Sequence, residues 1–286
     1  RGSKVLVTGG LGFLGSNLAK RLVELEADVT LVDSMIPRYG ASNANVERFR
    51  DRLRINYSDM RDPHSLRYLV ADQKVIFNLA GQVSHIDSMR DPLNDLDINC
   101  RSQLSLLECC RQVNPKIRIV FTSTRQVYGT PQFLPVNESH PLCPADVNGI
   151  NKLAAEMYFS LYAKVYGLET VSLRLTNTYG PRMDLTNHDK GFVSVFLDKA
   201  LRGETIDLFG SGEQRRDFNY VSDVVEAILL AGRCDELVGE SYNLGFPQTY
   251  SLVQFLALLN RITPIDYRCT PFPHERKSID IGDYCG

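Results

Sequence analysis

Lys4-Val5-Leu6-Val7-Thr8-Gly9-Gly10-Leu11-Gly12-Phe13-Leu14-Gly15-Ser16-Asn17 is the stretch on which the reading of this chain turns. Val5, Leu6 and Val7 form a short apolar run, which suits a parallel strand buried on both faces. Gly9, Gly12 and Gly15 follow at G-x-x-G-x-x-G spacing, and Leu14, Leu18, Leu22 and Leu25 then recur at helical intervals. Strand, glycine turn and amphipathic helix in that order leave open amide N–H groups at the turn, where a pyrophosphate fits. Gly9 and Gly12 permit the tight turn and a close approach of backbone to ligand, while Gly15 lets helix and strand pack. A second apolar run, Val29 to Val32, ends at Asp33, about 20 residues past the glycines, where a carboxylate can accept hydrogen bonds from a ribose. The stretch therefore predicts a dinucleotide site. A carboxylate at position 33 repels a 2′-phosphate and favours NAD over NADP, with Arg38 the nearby cation that pulls the other way.

Composition agrees with an ordinary globular protein. The 286 residues are 43% hydrophobic, enough for one large α/β domain or two joined ones. Thirty-two Lys and Arg against 34 Asp and Glu give a net charge of −2, so neither nucleic acid nor an anionic membrane is expected as partner. No apolar run reaches the ~18 residues a membrane helix needs, and the chain opens directly on a strand, so a cytoplasmic location is expected. The seven cysteines (Cys100, Cys109, Cys110, Cys143, Cys234, Cys269, Cys285) are odd in number and show no C-x-x-C pair. Reduced thiols are expected, with no disulfide framework and no metal. The five histidines lack metal-ligand spacing, which points to surface or core roles before catalysis.

Further along, Leu53 to Tyr57, Val75 to Leu79 and Ile117 to Phe121 read as three more strands alternating with helical segments. That rhythm requires a parallel sheet with right-handed crossovers, and so a doubly wound, Rossmann-like α/β fold in which strand ends face a ligand. Asp59 and Met60, just past the third strand, then line the adenine. Asn78-Leu79-Ala80-Gly81 closes the fourth strand, with Leu79, Ala80 and Gly81 letting backbone approach the cofactor. Ser84, His85 and Ser88 follow in the loop. A helix over Leu93 to Gln112 turns Leu96, Leu104 and Leu107 to an apolar surface and lets Asn99 reach back to the strand ends. The fifth strand ends in Thr122-Ser123-Thr124-Arg125-Gln126-Val127-Tyr128-Gly129, with hydroxyls beside the crevice. Asn148-Gly149-Ile150-Asn151-Lys152 opens another helix, whose apolar face is Ile150, Leu153, Ala154, Met157 and Leu161. Lys152 is placed in its first turn, where a cation opposes the helix dipole and a ligand-facing role becomes the better explanation.

Taken together these motifs resemble the extended short-chain dehydrogenase/reductase family, the NAD-dependent nucleotide-sugar epimerases, dehydratases and decarboxylases, along essentially the whole chain. Thr8-Gly9-Gly10-Leu11-Gly12-Phe13-Leu14-Gly15 is similar to the family's cofactor signature, which implies that Phe13 and Leu14 join the glycines at the cofactor. Asn78-Leu79-Ala80-Gly81 is similar to its fourth-strand signature. The resemblance also brings Asn99, Thr122 and Lys152 to the cofactor, and it places Thr124 at the catalytic Ser/Thr position. Substrate contacts are implied for Ser84, Thr124 and Arg125, for Asn177 within Arg174-Leu175-Thr176-Asn177-Thr178-Tyr179-Gly180-Pro181, and for Arg216 within Gly210-Ser211-Gly212-Glu213-Gln214-Arg215-Arg216-Asp217-Phe218. Arg276 takes the part of a nucleotide-closing Arg that Phe272 displaces, and the chain stops at Gly286 before the family's customary last helices. A smaller substrate-binding lobe, residues 175–286, is expected beside an NAD-binding domain of residues 1–174, the two partly interleaved. Within the lobe Gly191 to Leu201 and Asp223 to Leu230 read as helices, Ile206 to Phe209 as a strand, and Ser251-x-x-Gln254 as a capping box.

One departure stands out. The family's catalytic motif is Tyr-x-x-x-Lys, and Asn148 occupies the Tyr position. There the Tyr, its pKa lowered by the Lys, takes a proton from a sugar hydroxyl; an amide has no ionisable proton near neutral pH. The catalytic set is then Thr124, Asn148 and Lys152, with Asn148 orienting the substrate and the proton leaving through Thr124 to Lys152 or an ordered water. The resemblance implies a redox-neutral epimerase of the UDP-glucose 4-epimerase kind, acting on a UDP-sugar as a homodimer. Dehydratases and decarboxylases of the family carry an acid just after the hydroxyl residue, where this chain has Arg125 and Gln126. They remain the alternative, as does a catalytically silent NAD and nucleotide-sugar binding protein.

Overall fold

A computed structural model describes residues 2–37, 39–186 and 191–286; Arg38 lies outside them. In chain order the first half runs β1 (Lys4–Thr8), α1 (Phe13–Glu24), β2 (Asp28–Val32), β3 (Leu53–Asn56), α2 (Pro63–Val70), β4 (Val75–Asn78), α3 (His85–Arg90), α4 (Pro92–Leu96), α5 (Ser102–Val113), β5 (Arg118–Thr124), α6 (Val147–Tyr166) and β6 (Glu169–Leu175). The second runs β7 (Asn177–Tyr179), α7 (Phe192–Arg202), β8 (Ile206–Phe209), β9 (Arg215–Tyr220), α8 (Val221–Ala231), β10 (Ser241–Leu244), β11 (Thr249–Ser251), α9 (Leu252–Asn260), β12 (Tyr267–Thr270) and α10 (His274–Lys277).

The main sheet has seven strands in the order β10-β6-β5-β4-β1-β2-β3, and every pairing is parallel. Helices cover both faces, so successive residues of one strand enter different cores. Val5 and Val7 pack with Leu18 and Leu22 of α1 and with Val224 and Ile228 of α8. Leu6, between them, packs instead with Leu66, Leu106 and Phe159 of α2, α5 and α6. Each such Leu, fully buried, contributes roughly 1.5–3 kcal/mol. This is why β1, β2 and β4 read as unbroken apolar runs rather than alternating ones. Strand order reverses between β1 and β4, which opens the crevice at their carboxyl ends.

The expected helix over Leu93 to Gln112 is three pieces. Asp91 caps α4, with Pro92 at its first position; a π-helical turn, Asp97–Arg101, follows and carries Asn99 inward; α5 completes the run. Leu107 is buried as expected and Leu104 partly so, whereas Leu96 is exposed. The expected face of α6 also differs. Ile150, Met157 and Leu161 are 52%, 63% and 48% exposed, while Asn148, Asn151, Lys152, Glu156 and Phe159 turn toward the sheet. A mostly polar face goes inward because its groups are paired: Glu156 holds the Arg174 guanidinium through several hydrogen bonds, and Arg174 also donates to Tyr128. Asp146 caps α6, so Lys152 falls in the second turn rather than the first.

The smaller lobe packs α7 and α9 around β8, with Phe196, Leu208, Leu256 and Leu259 as core and Phe218 stacked on Phe255. Its sheets are β11-β9-β7 and β12-β8. Ser251 and Gln254 form the expected capping box on α9. The chain returns to the large sheet twice, α8 lying against α1 and β10 pairing with β6.

Candidate functional site

The glycine turn is shaped by contacts that no side chain could share. A Cβ on Gly15 would lie 2.2 Å from the Gly9 carbonyl oxygen, and one on Gly9 would lie 3.0 Å from the Ala80 backbone. β1 and β4 are locked together at this end: Thr8 Oγ1 donates to Asn78 Oδ1 at 2.8 Å and accepts from the Leu79 and Ala80 amides at 3.1 Å. Helix α1 starts at Gly12 with no side-chain cap, so its first-turn amides point into the crevice. Asp33 is nearly buried; its two oxygens accept from the Leu11 and Met35 amides at 3.1 and 3.0 Å, and burial raises its pKa. These groups line a cleft of about 550 Å³ that also takes in Phe13, Leu14, Asp59, Met60, Leu79 and Gly81. Arg61 at 2.6 Å holds the Asp59 carboxyl below its usual range. Uncapped amides, a steric need for glycine and a ribose-type acceptor fit a dinucleotide.

Thr124, which ends β5, also lines the cleft, its Oγ1 accepting from the Gln126 amide at 3.3 Å. Thr122 lines the same wall, and its carbonyl accepts from Lys152 Nζ at 3.1 Å. The Lys152 ammonium also sits over the Phe121 ring, and burial pulls its pKa from 10.5 to about 8 against the attraction of Asp95. Gly81 lies close beside it: a Cβ there would be 2.8 Å from Nζ and from Asn99 Oδ1, so both side chains would have to shift.

Asn148 borders the cleft but spends its amide nitrogen elsewhere, donating to the Gln82 carbonyl at 2.8 Å and to Asp95 at 3.2 Å. Asp95 also accepts from Asn99 at 3.0 Å and Asn151 at 2.8 Å, so one buried carboxylate is held by three side-chain amides. What Asn148 offers a ligand is Oδ1, an acceptor. Two expected residues do not reach the cleft wall. Asn99 is fully buried in this cluster beneath Gly81, and Ser84 is buried with its hydroxyl capping α3 through the Asp87 amide.

Sequence reasoning set His85 aside, yet it lines the cleft with its Nδ1 2.8 Å from Asp146. Asp95, Asp146 and Gln82 were likewise passed over. The available signal was local: His85 follows the fourth-strand motif directly, and Asp146 stands two residues before the departed Tyr position.

Part of the cleft lining is cationic. Arg125 donates to Asn177 at 3.4 Å, faces Tyr284, and has one buried guanidinium nitrogen without a hydrogen-bond partner. Burial, then the neighbouring Arg216, lowers its pKa to about 10. Arg216 is itself buried and bonds Asp280 at 3.2 Å and the Gly282 carbonyl; Arg276 crosses the Phe209 ring at the rim. Two adjacent guanidiniums, one with an unspent N–H, suit a diphosphate.

Known proteins resemble this chain in sequence and in fold. A UDP-glucose 4-epimerase of Mycolicibacterium smegmatis is 34% identical over 231 residues, 80% of this chain and 73% of that protein. A UDP-glucuronic acid decarboxylase 1 of Xenopus tropicalis is 34% identical over 266 residues, 91% of this chain and 60% of its own length. Among solved structures, the Thermus thermophilus UDP-glucose 4-epimerase in complex with NAD superimposes with a TM-score of 0.87 at 29% identity, over 99% of this chain and 89% of that one. Residues 5–245 match the model of the NAD dependent epimerase/dehydratase family, and the chain belongs to that family with NAD as its cofactor.

Proposed function

We propose that this protein is a redox-neutral nucleotide-sugar epimerase of the UDP-glucose 4-epimerase kind, acting on a UDP-sugar as a homodimer. The observation that carries the reading is that one cleft is lined by the glycine turn with Asp33, by Thr124 with Lys152, and by two neighbouring arginines, Arg125 and Arg216. NAD, when bound, supplies reversible two-electron oxidation of a sugar carbinol; Gly9, Gly12, Gly15 and Asp33 would hold it. Thr124 hydrogen-bonds the reacting hydroxyl. Lys152 binds the nicotinamide ribose and contributes positive charge. Asn148 Oδ1 orients the sugar, while Arg125, Asn177 and Arg216 grip the diphosphate, with Arg276 closing over the nucleotide. The seven unpaired thiols suit the reducing cytoplasm in which we place it.

Incubating the protein with NAD and a panel of UDP-sugars, and reading products by mass and NMR, tests this. A product of unchanged mass and inverted configuration is expected. The likeness to a decarboxylase gives the second reading, which a product lighter by carbon dioxide or water would establish instead. Tight NAD and nucleotide-sugar binding without turnover would identify a silent binding protein.

A further inference from the structure

The cleft contains a second ionisable pair that the family motif does not supply. Asp146, the cap of α6, is buried; one of its oxygens accepts from the Gly149 amide at 2.6 Å and the other lies 2.8 Å from His85 Nδ1. A carboxylate fixed in this way demands a proton on Nδ1, which leaves the Nε2 lone pair as the imidazole's basic site. The His85 side chain is 35% exposed against 1% for Asp146, and of the two it is His85 that lines the cleft.

The pair also sits where the chemistry is. Ser88 Oγ accepts from the Asn148 amide at 3.2 Å and donates to the His85 carbonyl at 2.7 Å, clamping α3 against the start of α6. Gln126, whose amide bonds Thr124 Oγ1, has its side chain 3.4 Å from His85 Nδ1 and 3.3 Å from Asp146. His85 is thus linked through one intervening residue each, Gln126 and Ser88, to the hydroxyl residue Thr124 and to the backbone at position 148. Lys152, the base expected from sequence, has its Nζ committed to the Thr122 carbonyl and sheltered by Phe121 and Gly81.

We infer that His85, oriented by Asp146, is the proton acceptor for the reacting sugar hydroxyl, in the part that a Tyr at position 148 would have played. The inference rests on the epimerase reading above. As the carbinol O–H bond breaks its proton would go to Nε2, and NAD, when bound, would supply the two-electron oxidation that the carbinol carbon undergoes. In the return half His85 would give the proton back to the same oxygen and the bound cofactor would reverse the oxidation, so nothing is consumed.

The test uses the full chain loaded with NAD, the UDP-sugar turned over by the wild type, and three variants. His85→Ala should lower kcat by ~10²–10⁴ with little change in KM, and millimolar imidazole should restore part of the rate. Asp146→Asn should lower kcat as well, while His85→Gln should melt near the wild type and stay slow. Independently of turnover, ¹⁵N NMR of the imidazole should show the Nδ1–H tautomer in the wild type. Full activity in His85→Ala, a loss that imidazole does not rescue, or a wild-type Nε2–H tautomer each overturns the assignment while leaving the epimerase reading intact. Absence of any isomer from the wild type would instead sink the epimerase reading, and this inference with it.

Discussion

Lys152 carries a cost that the fold accepts. Its ammonium is buried, with a pKa drawn down from 10.5 to about 8, so between those values the unfolded chain holds a proton that the folded chain has released. Unfolding takes up that proton, and stability from this group therefore rises with pH across the window. Below pH ~8 both states are protonated and the full penalty, on the order of 3 kcal/mol, bears on the native state. Lys152→Met should accordingly be more stable than the wild type at pH 7, with the gap shrinking toward pH 10, while losing turnover. Urea midpoints at the two pH values check it, and an equal gap at both would mean the burial cost is not electrostatic. Asn148 makes a complementary case. Cutting it to Ala removes one of three amides on Asp95 and leaves the Gln82 carbonyl a donor short, so a loss of ~1–3 kcal/mol is expected by urea denaturation. Substrate affinity should weaken and part of the turnover survive, because the amide is not the base.

Among the elements, legibility in the sequence followed the environment of each strand. β1, β2 and β4 announce themselves because both faces are apolar. β6 does not, since Thr170, Ser172 and Arg174 are buried on it as polar groups, Arg174 satisfied by Glu156 from α6 and by the Tyr128 hydroxyl. The same logic separates the parts of the site. The glycine turn, Thr124 and Lys152 belong to short local patterns, whereas the His85–Asp146 pair is assembled from the starts of two helices, α3 and α6, that only the fold brings together. α6 misled for a related reason: its apolar stripe is real but is not the stripe the sheet uses. The glycine turn itself gives a sharp expectation. Gly15→Ala places a methyl 2.2 Å from the Gly9 oxygen, a backbone atom that cannot rotate away. Overpacking of this kind costs ~1–3 kcal/mol, so NAD should bind about tenfold more weakly by calorimetry. Unchanged affinity would mean that the turn does not hold the pyrophosphate.

At the scale of the molecule, the surplus apolar stripe asks for a partner. Ile150, Met157, Leu161 and Val165 stand exposed along α6, and Leu93 and Leu96 of α4 with Met89 of α3 are exposed on the helices packed beside it. Single exposed apolar side chains are ordinary, but a run of them at helical spacing across adjoining helices is the pattern of an association surface. A second copy presenting the same stripe would bury it by two-fold symmetry, each α6 packing against its mate. Light scattering at micromolar concentration should therefore give twice the chain mass. Met157→Glu, which sets like charges face to face on the shared surface, should give a monomer that keeps its secondary structure. Because α6 also carries Asn148 and Lys152 on its other side, the monomer should melt earlier and turn over more slowly. A wild type that scatters as a monomer, or a Met157→Glu variant that stays dimeric, would assign the stripe to some other contact.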